Sequence, residues 1–152
     1  MQILDDKDKM ILNRIQSDFP IAARPYLEIA NDLGLNEDEV IQRVQRMKED
    51  GIIRRIGGNF GPEKLGYCST LCAAQVPSDK IDEFAEIVNS FPGVTHNYLR
   101  EHPLYNVWFT FIEPTREIIE ENLKEISRRS GVEKIINLPA TIVFKIRAHF
   151  DL

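Results

Sequence analysis

Residues 25–51 carry a punctuation that few folds accommodate. Pro25 opens an apolar-periodic run through Tyr26, Leu27, Ile29 and Ala30. Gly34 closes it, Asn36 starts another, and Gly51 closes that in turn. Proline suits the first turn of a helix and glycine its C-terminus. Asn36 with Glu39 three residues on has capping-box spacing. Val40, Val44 and Met47 recur at i, i+4 and i+7, with Ile41 beside them. Upstream, Asp5 or Asp6 can cap a first helix that puts Ile11, Leu12 and Ile15 on one face and ends at Phe19-Pro20. Three short helices with a tight glycine turn before the third predict a helix-turn-helix. Ile52 to Phe60, with Gly57-Gly58 at its turn, predicts a short two-stranded wing.

After the linker Gly61-Pro62-Glu63-Lys64 the pattern changes. Tyr67 to Val76 predicts a strand. Pro77-Ser78-Asp79 starts a helix with Ile81, Phe84 and Val88 on one face. Val94 to Arg100 and Leu104 to Ile112 predict two strands joined by a hairpin at His102-Pro103. Pro114-Thr115 opens a helix through Ile119, Leu123 and Ile126 that Gly131 ends, and a last strand runs from about Val132 to Ile146, with Pro139 an irregularity in it. The order β-α-β-β-α-β is the ferredoxin-like motif. The expected fold class is therefore α+β: a winged helix-turn-helix over residues 1–60 and a βαββαβ domain over 61–152.

Charge weighs against nucleic acid. The N-terminal residues of a recognition helix read base edges, and here they are Asn36, Glu37, Asp38 and Glu39. Residues 1–60 hold nine Lys/Arg against eleven Asp/Glu, and the whole chain carries a net −5, whereas phosphate neutralisation supplies most DNA affinity. Arg43, Arg46 and Lys48 are the residues left to touch phosphate. Cys68 and Cys72 lie four apart on a strand, a separation of about 13 Å, too far for a disulfide. Free thiols, an N-terminus without a signal pattern and no long apolar run predict a cytoplasmic protein with no membrane partner.

One segment concentrates chemistry. Alternation puts His96, Tyr98 and Arg100 on one face of a strand, and the hairpin brings the next strand alongside, with Asn106, Trp108 and Thr110 on one face and Tyr105, Val107, Phe109 and Phe111 on the other. An imidazole moves protons near neutral pH. A guanidinium matches a carboxylate, and aromatic rings supply flat apolar walls. Together they suit a large, flat, carboxylate-bearing ligand. Arg54-Arg55 can clamp a carboxylate or a phosphate. No zinc spacing, phosphate cradle or nucleophile elbow stands beside these residues.

The chain resembles the Lrp/AsnC family in order and size, through Gly51-Ile52-Ile53-Arg54-Arg55 and Lys64-Leu65-Gly66-Tyr67. Within it, the chain is similar to the branch of siroheme decarboxylases and heme d1 biosynthesis proteins. The residues carrying that similarity are Arg54-Arg55-Ile56-Gly57, Leu65-Gly66-Tyr67, the run from Gly93 to Arg100, and Tyr105 to Thr110. Ordinary Lrp/AsnC regulators have a Gly-Asp turn between these strands, where this chain has His102-Pro103-Leu104. The resemblance implies a carboxy-lyase that removes two acetate carboxyl groups of siroheme as CO2, giving didecarboxysiroheme on a route to heme. It implies no cofactor and no metal site, since the iron belongs to the substrate, with His96 or His102 a possible axial ligand. It also implies a related second subunit in a heterodimer or higher oligomer. The expected site is His96 and Arg100 as catalytic residues, with Arg54, Arg55, Tyr98, His102, Tyr105, Asn106 and Trp108 binding substrate. The rival expectations are a DNA-binding amino-acid sensor and a heme-sensing regulator.

Overall fold

The computed structural model describes residues 4–144 and 149–152. They fall into two units, one holding the residues up to Gly58 together with 149–152, the other running Asn59–Phe144.

The first unit is three helices, α1 (Asp6–Ile15), α2 (Pro25–Leu33) and α3 (Glu37–Glu49). Asp5 caps α1 in a full capping box with Asp8. Gly34 ends α2 in the left-handed conformation, at φ 66°, and Asn36 caps α3 by accepting from the Asp38 amide. Ile11, Leu12, Ile29, Ala30, Val40, Val44, Met47 and Ile53 form the core. The expected wing is not there: no residue of 52–60 is in a strand. Within that span only Asn59 and Phe60 follow the Gly57-Gly58 turn to pair with the residues before it, too little pairing for an isolated hairpin. The end of the chain lies on α1, where the Gln16 side chain donates to the Phe150 carbonyl at 2.8 Å and accepts from its amide at 2.9 Å.

An ion network ties α1 to α3. Asp8 is 1% exposed, and it accepts from Arg43 at 2.8 Å and from Arg46 at 2.6 Å. Arg43 also reaches Asp5 at 2.7 Å and Glu39 at 3.0 Å, and Lys7 donates to Glu39 at 2.7 Å. The basic residues expected to face phosphate are thus largely committed within the unit.

The second unit is a four-stranded antiparallel sheet of order β2-β3-β1-β4, with β1 (Cys68–Ala74), β2 (Val94–Leu99), β3 (Val107–Glu113) and β4 (Ile135–Leu138). Helices α4 (Ile81–Asn89) and α5 (Arg116–Ser130) supply Phe84, Val88, Ile119 and Ile126 to a core shared with Cys72, Ala74, Val107, Phe109 and Phe111. Phe84 meets Phe109 edge-on at 6.2 Å, and Phe91 meets Phe111 at 6.0 Å. Burial pushes the Cys72 thiol up to about 12, so it stays protonated in that core. The predicted last strand is shorter than expected. It stops at Leu138, before Pro139, which has no N–H to donate. Residues 139–144 form no strand, and 145–146 lie outside the described residues. Among the described residues no helix is long and apolar enough to cross a membrane.

The helices cover one sheet face only. Alternation from the buried Phe109 and Phe111 puts Trp108 and Thr110 on the other, with Leu71 and Ala73 of β1 and Ile136 and Leu138 of β4. Leu71 and Leu138 face each other there, 40% and 42% exposed.

Two stability predictions follow from these contacts. The Asp5 carboxyl is held down to about 2, first by the Arg43 guanidinium and then by the Asp8 amide. Its native value lies below its ordinary 3.8, so this stabilisation is present above about pH 4 and is lost as pH falls towards about 2. Thermal unfolding followed across that window will show the fall. Asp5→Asn will flatten it in part, because Glu39, Glu117 and Glu125 are also held below the usual carboxylate range by arginine, lysine or capping partners. In the sheet, a Cβ on Gly93 would lie 2.7 Å from the Ile112 carbonyl oxygen, a backbone atom that cannot swing away. Gly93→Ala will cost about 1–3 kcal/mol in urea unfolding.

Candidate active site

The polar row predicted from the sequence lies on the uncovered face of the second unit. His96 pairs with Thr110 and Tyr98 with Trp108 across β2 and β3. The His96 ring stacks on the Tyr98 ring at 6.0 Å and 27°. The Arg100 guanidinium sits 5.8 Å from the Tyr98 ring and 5.9 Å from the Trp108 indole, a cation held by two aromatic faces. His102 meets Trp108 edge-on at 6.0 Å and Tyr105 at 6.3 Å. Six side chains therefore form one continuous imidazole, phenol, guanidinium and indole surface. His96, Tyr98, Arg100 and His102 are exposed, and Tyr105 and Trp108 are half-buried.

Local hydrogen bonds fix this surface. The Trp108 indole N–H donates to the Tyr105 carbonyl at 2.8 Å, which anchors the ring that Arg100 and His102 lean on. His102 Nδ1 receives the Leu104 amide at 3.2 Å and the Tyr105 amide at 3.0 Å. A nitrogen that accepts from two N–H groups carries no hydrogen itself, so the neutral ring keeps its proton on Nε2. The turn between β2 and β3 is thus closed by a histidine acting as a cap. On β2, the Thr95 hydroxyl lies 3.0 Å from His96 Nδ1.

Asn106 does something other than expected. Its amide oxygen accepts from the Val76 amide at 2.9 Å, and its amide nitrogen donates to the Val76 carbonyl at 2.8 Å. Its own backbone donates to the Ala74 carbonyl at 3.1 Å and accepts from the Arg100 amide at 2.7 Å. The side chain is spent clamping the hairpin to the end of β1, and so holds Arg100 in place instead of facing a ligand. Arg54 and Arg55 belong to the first unit. Both are exposed, and neither is in an ion pair among the described residues. No group of three or more His, Cys, Asp or Glu is placed to hold a metal ion among the described residues.

The sequence reading missed Thr95 and the exposed apolar pair Leu71 and Leu138. Thr95 had a signal, since its strand begins with an inward Val94 yet must turn His96 outward. The pair had none before the pairing of β1 with β4 was known.

Comparison with known proteins agrees with both halves of the chain. Residues 8–54 match the siroheme decarboxylase NirDL-like HTH domain, and residues 64–145 match the AsnC-like ligand binding domain. The chain is 54% identical to the siroheme decarboxylase alpha subunit of Desulfovibrio desulfuricans, over 98% of this chain and 85% of that one. The crystal structure of the siroheme decarboxylase NirDL in co-complex with an iron-uroporphyrin III analogue superposes with a TM-score of 0.66 at 32% identity, over 95% of this chain and 48% of that one. Escherichia coli AsnC superposes with a TM-score of 0.78 at 20% identity, covering 97% and 99%, a likeness of fold alone. The chain belongs to the siroheme decarboxylase family, within the Lrp/AsnC-like proteins.

Proposed function

We propose that this chain is a subunit of a cytoplasmic siroheme decarboxylase, a lyase that uses no cofactor of its own and removes two acetate carboxyl groups of siroheme as CO2. The observation that carries the reading is the His96, Tyr98, Arg100 and Trp108 surface on the uncovered sheet face, in a chain 54% identical to a subunit of that name.

The chemistry asks little of a protein. Loss of CO2 breaks the bond between the acetate methylene and its carboxyl carbon. The electron pair is taken up by the conjugated macrocycle, and a proton then reaches the methylene carbon to leave a methyl group. The chain must hold carboxylates, present a flat apolar wall and deliver that proton. Arg100 pairs with a peripheral carboxylate, its fork held between two aromatic rings. Trp108 and Tyr105 form the wall with Tyr98. His96 delivers the proton.

The iron is part of the substrate. Axial ligation through Nε2 of His102 would move its proton to Nδ1, where two backbone amides already donate, so His102 is the poorer ligand and serves as a donor through Nε2–H. His96 cannot both ligate iron through Nε2 and deliver a proton from it. The Tyr98 phenol stacked beside it, a second proton-bearing group, favours the proton role.

The active form is assigned as a heterodimer with a related subunit. The chain spans about half of the NirDL chain that carries the same fold, which leaves room there for a second copy. The half-exposed Leu71 and Leu138 on the same face as the polar row suit a protein cover. A DNA-binding regulator has only the fold in its favour, because Arg43 and Arg46 are bound to Asp8.

In the presence of the partner subunit, His96→Ala will keep iron-tetrapyrrole binding and lose turnover by about a hundredfold or more. Arg100→Ala will instead raise KM by about tenfold, as expected for a lost charge-assisted contact to carboxylate. Steady-state decarboxylation with spectroscopic titration of the bound tetrapyrrole checks both. Full turnover in His96→Ala would remove His96 from the proton step.

A further inference from the structure

We propose that Thr95 is a positioning residue for His96, acting through a β-bulge and through a hydrogen bond to Nδ1; the catalytic consequence rests on the reading of His96 as proton donor.

The register of the hairpin shows the bulge. Val94 pairs with Phe111, but the next pairs are His96 with Thr110, Asn97 with Phe109, Tyr98 with Trp108 and Leu99 with Val107. Thr95 has no partner in the ladder, so β2 carries one residue more than β3. A one-residue slip moves every following side chain to the other face. Val94 faces the core with Phe111. In an unbroken strand His96 and Tyr98 would share its parity and point at Phe109 and the helices. The extra residue turns them out to the open face and turns Asn97 in, where its amide donates to Asn89 of α4 at 3.0 Å.

The bulge is pinned on both sides. Upstream, the Ile112 amide donates to the Gly93 carbonyl at 2.8 Å, at a point with no room for a Cβ. Downstream, Asn97 is held by Asn89. Thr95 is β-branched and suits extended backbone, and its hydroxyl reaches the imidazole it has displaced, 3.0 Å from Nδ1.

That contact selects the nitrogen that works. A hydroxyl can donate or accept, but toward the imidazolium it can only accept from Nδ1–H, and kept in that role it leaves the neutral ring, after proton transfer, with its hydrogen on Nδ1. The proton to the substrate carbon therefore leaves from Nε2, and the ring needs no reorientation. His102 is held in the opposite tautomer, with Nδ1 accepting. The two histidines of the site are thereby given different jobs.

Two variants separate the hydroxyl from the shape. Thr95→Val keeps the β-branched form and removes the hydroxyl, and Thr95→Ser keeps the hydroxyl. With the partner subunit and siroheme, Thr95→Val is expected to lose kcat about tenfold with KM within about threefold of the parent and an unchanged thermal midpoint. Thr95→Ser is expected to keep kcat within about threefold. The same samples without substrate give a readout independent of activity, the nitrogen-15 NMR of the His96 imidazole. The Nδ1–H tautomer is expected to predominate in the parent and in Thr95→Ser, and to give way to Nε2–H in Thr95→Val. Equal tautomer populations in parent and Thr95→Val, or equal loss of kcat in Thr95→Val and Thr95→Ser, would overturn the proposal. A Thr95-dependent tautomer together with full turnover in His96→Ala would leave the positioning intact and overturn the catalytic reading of His96 instead.

Discussion

A sheet with one buried face leaves its strands no freedom about which side chains go where. Val107, Phe109 and Phe111 are buried against Phe84, Val88, Ile119 and Ile126, and each such side chain is worth about 1.5–3 kcal/mol once removed from water. That burial commits every second residue of β3 inward and therefore Trp108 and Thr110 outward. β2 pairs to β3 and inherits the commitment, except at Thr95, where one unpaired residue changes the parity. The outward row of His96, Tyr98 and Arg100 is the product of both facts. The core fixes the plane on which the site is built, and the bulge decides that the site's polar groups stand on the open side of it.

The first unit shows a helix-turn-helix whose electrostatics have turned inward. Glu37, Asp38 and Glu39 suit the positive end of the α3 macrodipole and would repel a phosphate backbone. Arg43 and Arg46, one and two turns further along, close on Asp8, itself almost wholly buried. A buried carboxylate is tolerated when charged donors satisfy its oxygens. The arrangement gives the unit a specific helix packing at the expense of a free basic face. A structure named as an AsnC family transcriptional regulator shares this fold at 22% identity, so the fold alone does not decide function.

Much of this was legible in the sequence because it is written in local chemistry. Asp5, Pro25, Gly34, Asn36, Thr115 and Gly131 mark helix ends where the structure has them, and the order of the βαββαβ unit follows from two periods. The polar row was legible as alternation, though only by starting the count at His96. Counting from the inward Val94 gives the opposite face, and the discrepancy is the trace of the bulge. Features that depend on distant partners were not legible. Asn106 looks like a ligand contact until Val76, thirty residues away, takes both ends of its amide. Asp8 looks like a solvated first-turn acid until α3 folds onto it. The wing was expected over Ile52 to Phe60 with Gly57-Gly58 at its turn, and a turn without paired flanks does not make a hairpin.

The proposed reaction is loss of CO2 from siroheme, carried out by this chain with a related subunit on the face that carries His96 and Arg100. It is tested most directly by anaerobic incubation of the purified chain with siroheme, alone and with the co-expressed second subunit, followed by mass analysis of the tetrapyrrole. A product lighter by two molecules of CO2 is expected when both subunits are present. Siroheme recovered at unchanged mass from the mixture, whether tightly bound or not bound at all, would contradict it.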